Sequence, residues 1–200
     1  SAGAPSTDLA GNPRPYDATE VDMGCYEFQG PYPYLDIVYV SPSGSDSNDG
    51  SSKSSPVYTI NKALSIVTPE GKVMMMPGLY DYDSYDSASM IRWPAKQNVT
   101  LVLTTDALGV AGPATIDAYG AKRIINCPNA VGLTIEGITM QNGLVNPGTG
   151  GGINLASGCV LWLKGVEIKY CTAEGSNPPS NGAGGAVYSR GSNVYAQNCK

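Results

Sequence analysis

Residues 133–143, LTIEGITMQNG, are echoed 28 positions later by residues 161–171, LWLKGVEIKYC. Leu133 falls on Leu161, Ile135 on Leu163, Gly137 on Gly165 and Ile138 on Val166. A second echo has a different spacing. GGINLASGCVL (151–161) aligns with GGAVYSRGSNV (184–194) at an offset of 33, placing Gly151 on Gly184, Gly152 on Gly185, Gly158 on Gly191 and Leu161 on Val194. Repeats that keep a strand core while their loops vary in length point to a solenoid. One repeat cannot bury its apolar face alone, so coils stack and the insertions go to the corners.

The residues inside each repeat indicate the kind of coil. Leu133, Ile135, Ile138 and Met140 face inward if a strand runs to Glu136 and a second begins after a bend at Gly137. Gly and Asn supply corners that accept left-handed φ. Short strands are expected at 72–76, 99–103, 114–117, 123–126, 132–140, 160–168, 185–189 and 193–198. The insertion at 173–185 reads as a corner loop. An all-β chain wound as a single-stranded parallel β-helix follows. An antiparallel sandwich also gives short strands and turns, but it does not predict aligned repeats. The one helical segment is TINKALSIV (59–67), with Ile60, Ala63, Leu64 and Val67 on one face and Pro69 and Gly71 to stop it.

The net charge of −5, with twelve scattered Lys and Arg, argues against nucleic acid and anionic membrane as partners. No apolar run approaches the roughly 18 residues of a membrane span, so membrane insertion is not expected. The chain opens on Ser and shows no signal peptide, so a processed form or an internal fragment is expected. Many Gly, Pro and Tyr with little charge suit an extracellular or cell-surface β-protein. Cys25, Cys127, Cys159, Cys171 and Cys199 show no metal-ligand spacing; two disulfides with one free thiol, or five reduced thiols, both fit.

YVSPSGSDSNDGSSKSSPVYTINKALSIV and GKVMMMPGLY together span residues 39–80. They resemble the opening of right-handed parallel β-helix proteins of the pectate-lyase-like superfamily: strand, Gly/Asp-rich loop, short capping helix, then a strand ending in Pro-Gly-x-Tyr. Residues 114–143 are similar to the following coils. The resemblance covers about residues 37–200 and implies a right-handed β-helix with one short N-terminal capping helix. It implies little about activity, because the superfamily holds lyases, hydrolases, adhesins and structural surface proteins.

STDLAGNPRPYDATEVDMGCYEFQ (6–29) resembles the closing coil of such modules, yet it precedes the opening motif. The chain stops at Lys200 in a strand-like run. Two explanations fit: a slice across a tandem array, or copies joined head to tail, residues 1–30 of one covering the open last coil of the next. Val21, Met23 and Tyr26 would then meet Val194 and Ala196. Residues 1–30 folding back along their own domain, or being a leftover linker, is the plainer reading.

The chain has no His, which removes His-based triads and His-ligated zinc. The resemblance implies, for lyases, Asp-bound Ca²⁺ beside an Arg or Lys base. Arg92, Lys122, Arg123, Lys169 and Arg190 are present, but no column of Asp aligns beside them. Asp117 has no carboxylate at its repeat positions, and beyond it only Glu136, Glu167 and Glu174 are acidic. An enzyme is therefore not the expected reading. Asp46, Asn48 and Asp49 could offer oxygens to Ca²⁺, or brace the turns ahead of the helix. Tyr80, Tyr82 and Tyr85 alternate with Asp and could meet carbohydrate or another subunit. The expected function is an extracellular structural or filament-forming module that binds itself or adjacent modules. The alternative is a fragment of a carbohydrate-active enzyme, or a polysaccharide-binding adhesin.

Overall fold

The structure, a computed structural model, describes residues 34–81, 86–175 and 184–200, all within one compact unit, Tyr34–Lys200. Strand β1 (Leu35–Val40) precedes helix α1 (Ile60–Ile66). The first coil is β2 (Val67–Met75), β3 (Gly78–Tyr80) and β4 (Ser89–Arg92). The second is β5 (Val99–Leu103), β6 (Ala114–Asp117) and β7 (Arg123–Cys127). The third is β8 (Gly132–Glu136), β9 (Thr139–Gln141), β10 (Leu144–Val145) and β11 (Ile153–Leu155). The fourth is β12 (Val160–Lys164), β13 (Glu167–Lys169), β14 (Thr172–Ala173) and β15 (Val187–Ser189). Strand β16 (Asn193–Gln197) begins a fifth.

Each coil contributes one strand to each of three sheets, ordered β1-β2-β5-β8-β12-β16, β4-β7-β11-β15 and β3-β6-β9-β13. A short β10-β14 pair sits at an outer corner. Every strand pairing among the described residues is parallel. The chain is a parallel β-helix.

Apolar columns from all three sheets fill the interior. Val73, Leu101, Ile135, Leu163 and Ala196 stand in register. So do Ile91, Ile125, Ile153 and Val187, and Tyr80, Ile116, Met140 and Ile168. Burying each large side chain stabilises the stack by about 1.5–3 kcal/mol. Outward positions alternate with these. There Trp162 stacks on its register partner Tyr195 with ring centroids 4.2 Å apart, and Lys164 pairs with Glu136 at 2.7 Å.

The 28-residue echo is the register itself, Leu133 on Leu161 and Ile135 on Leu163, and Leu161 meets Val194 at the 33-residue offset. The glycine alignment needs a one-residue correction. Ile153 pairs with Val187, not Ala186. That shift keeps Val187 in the inward column; the offset of 33 would have turned it outward. The residue is recovered at the next corner, where Val160 again meets Asn193.

Helix α1 buries Ile60, Ala63 and Leu64 as its spacing requires, and the Thr59 side chain accepts from the Lys62 N–H as an N-cap. It ends at Ile66, before Pro69. Val67 turns extended at φ −72°, ψ 144° and starts β2. Pro69, Glu70 and Gly71 lie in a bulge, since the β1–β2 register jumps from Leu35–Val67 to Ile37–Lys72. The Lys96 ammonium covers the helix end, donating to the carbonyls of Leu64, Ser65 and Val67 at 3.0, 2.8 and 2.6 Å.

Candidate functional site

At the corner that follows the β6-β9-β13 strands the chain bends sharply, and in the second, third and fourth coils a left-handed residue does this. In the third coil it is Asn142 (φ 58°), and in the fourth, 28 positions on, Tyr170 (φ 55°). The second coil uses Tyr119 (φ 48°). The preceding corner uses Gly137, Gly165 and Asn198. Glycine and asparagine take this conformation cheaply, whereas a bulky side chain costs roughly 1–2 kcal/mol. Two tyrosines thus occupy strained corner positions, and both rings are exposed, Tyr119 by 63% and Tyr170 by 78%.

Between them lies a cleft of about 300 Å³, lined by Tyr119, Gly120, Asn142, Gly143, Leu144, Tyr170 and Thr172. Gly143 is required by close backbone packing, since a side chain there would run into the carbonyl of Gly151. Asp117, only 4% exposed, holds the wall. Its carboxylate accepts from Gln141 Nε2 at 2.6 Å, Asn142 Nδ2 at 2.9 Å and the Tyr119 N–H at 2.8 Å. Burial alone would raise the Asp117 pKa, but these amides and the backbone N–H together hold it below the ordinary carboxylate value. The Tyr119 hydroxyl donates to Asp81 Oδ2 at 3.3 Å. Desolvation, then the Asp81 charge, push that phenol above its ordinary value. With its carboxylate committed to orienting the corner, the cleft offers ring surfaces, amides and a hydroxyl.

The residues singled out from sequence fall elsewhere. Tyr80 does not face a ligand: it is 0% exposed, in the inward column, and its hydroxyl donates to the carbonyls of Val40 and Met76. Tyr82, Tyr85, Val21, Met23, Tyr26 and Cys25 lie outside the described residues. Asp46 accepts from the Tyr58 and Thr59 N–H groups and the Thr59 hydroxyl. Asn48 donates to the Pro56 carbonyl, and Asp49 accepts from the Ser51 N–H and hydroxyl. The geometry is that of turn bracing, each residue on its own partners. Val194 and Ala196 sit on β16, in register with Leu161 and Leu163. Cys127, Cys159, Cys171 and Cys199 are free thiols, so no disulfide joins these four. The thiols of Cys171 and Cys199 donate to carbonyls two residues back, those of Lys169 and Gln197.

Sequence reading missed Tyr119, Asn142 and Tyr170. The signal was the 28-residue echo, which sets Tyr170 on Asn142 at a corner where asparagine is the undemanding choice.

A family model described as a protein of unknown function (DUF1565) matches residues 42–102. That stretch runs from the loop after β1 through α1 and the first coil into β5, and ends short of the cleft. No curated protein and no solved structure matches the chain.

Proposed function

We propose that this chain is a structural module of an extracellular or cell-surface β-helix protein, extended head to tail by further rungs. The observation that carries this reading is the exposure of β16. Val194 is 39% exposed, although its register partner Leu161 is 0% exposed. All five residues of β16 are exposed. One strand edge and a slice of apolar interior therefore lie open, the kind of surface that a parallel strand covers. Residues 1–30 of a second copy of this chain, with Val21, Met23 and Tyr26, are the proposed cover. A contact of this kind between unlike surfaces propagates into a filament. Negative-stain microscopy of the full chain tests the reading. Uniform fibres are expected, with none from a chain lacking residues 1–30 whose circular dichroism stays β-rich. Monomers at every concentration, or fibres from the shortened chain, would overturn it.

The cleft favours a second reading, compatible with the first: the module's flank binds polysaccharide, as an adhesin does. Two exposed tyrosines in costly backbone conformations support it. Affinity electrophoresis through gels cast with soluble polysaccharides tests it, with retardation by at least one polysaccharide expected. Unchanged mobility in all of them would end this reading.

A further inference from the structure

We infer that the cleft between Tyr119 and Tyr170 takes an uncharged, extended β-1,4-linked glycan lying along the stacking axis of the coils. The inference rests on the polysaccharide-binding reading and specifies its ligand. Tyr119 stands on the second coil, Asn142 on the third and Tyr170 on the fourth. Rungs stack about 4.8 Å apart, so the backbones that carry the two rings are offset by about 9.6 Å along the axis. In an extended β-1,4-linked hexopyranose chain each sugar is turned over relative to the last. The same face therefore recurs at every second sugar, and a two-rung offset suits that repeat. The sugar between them would lie over Asn142, whose amide Asp117 fixes through Nδ2, leaving Oδ1 to accept from a hydroxyl. Thr172 also lines the cleft.

Charge decides against an acidic glycan. Among the described residues, no Lys or Arg lines the cleft. Lys169, next to Tyr170, is paired with Glu167 at 3.0 Å. Arg123 donates to the carbonyls of Thr149 and Gly150. The charged side chains hydrogen-bonded to the lining are carboxylates, Asp117 behind Asn142 and Asp81 on the Tyr119 hydroxyl, while Lys122, whose backbone carbonyl accepts from the Leu144 N–H, turns its ammonium to the Asp86 carbonyl. A uronate chain would meet these carboxylates with no cation in the lining to offset them.

Calorimetric titration of the full chain with cellohexaose, mannohexaose, laminarihexaose and hexagalacturonate tests this. The two neutral β-1,4 hexasaccharides should bind, the β-1,3 one more weakly, and hexagalacturonate not at all. Tyr119→Ala and Tyr170→Ala should each weaken binding about tenfold. Tyr170→Asn separates fold from function: it should raise the Tm by relieving the left-handed strain while weakening binding as Tyr170→Ala does. Binding of hexagalacturonate alone, or neutral binding untouched by the tyrosine substitutions, would overturn the inference while leaving a glycan-binding module in place. Failure of every glycan, in gels and in titrations, would remove the underlying reading too.

Discussion

The thiols of Cys127 and Cys159 meet inside the stack, Sγ to Sγ at 3.7 Å, and both donate to the carbonyl oxygen of Asn129, at 3.5 and 3.0 Å. Burial, then the neighbouring Cys159, push the Cys127 thiol from its ordinary 9.0 up to about 12. A folded-state pKa above the unfolded one means that the native state holds the proton more tightly. This contribution is complete below about pH 9 and is lost as the pH rises toward 12. Urea unfolding at pH 8 and pH 10 should therefore show a larger loss of stability in the native chain than in Cys127→Ala. At pH 8 both thiols should resist iodoacetamide until the chain is unfolded, as read by peptide mass spectrometry.

Asp117 works in the opposite sense. Its folded pKa is lowered, so its stabilisation is present above the unfolded value near 3.8 and fades as the pH falls through the folded one. Asp117→Asn should cost about 1–3 kcal/mol at neutral pH, because one amide replaces an acceptor that serves three donors. Its unfolding midpoint should also fall less steeply than the native chain's below pH 4. Equal acid limbs in the two proteins would show that Asp117 does not hold the Tyr119–Asn142 corner through its charge.

The stack was legible in the sequence because a column repeats one physical demand. Leu133 and Leu161, or Ile135 and Leu163, are the same buried position on successive coils, so similar side chains recur there. Where a site is set by backbone conformation the signal is thinner. Tyr170 and Asn142 share a φ but no chemistry, so the echo reads as a mismatch. Tyr80 misled for a related reason. It sits beside the run of Asp and Tyr that follows, yet β3 places it in the inward column above Ile116. The strand phase from Gly78, not the composition of the loop, decides where its ring points. The end of α1 was hidden because Pro69 marks a bulge inside β2 rather than the helix terminus itself.

Asp46 separates turn bracing from metal binding. It accepts from two backbone N–H groups and a hydroxyl at the start of α1, at 2.8–2.9 Å. Asp46→Ala should lower unfolding stability by about 1–2 kcal/mol. The loss should be the same in excess calcium as in chelator. A loss confined to calcium-containing buffer would return the loop at 43–52 to the Ca²⁺-binding reading.

Leu163 and Val194 test how far shelter extends along the stack. Leu163 is 4% exposed between Ile135 and Ala196, whereas Val194, one rung further on in the neighbouring inward position, is 39% exposed. Leu163→Ala removes buried methyls and leaves a cavity between rungs, an effect of about 2–5 kcal/mol. Val194→Ala removes methyls that water already reaches, so it should cost no more than about 1 kcal/mol in dilute chains. The difference should shrink as concentration rises if copies join at β16, since a covering strand would bury Val194 and make its loss felt. Urea unfolding of both variants across a concentration series measures this. A Val194→Ala cost that matches Leu163→Ala at the lowest concentration would mean that β16 is already covered within a single chain.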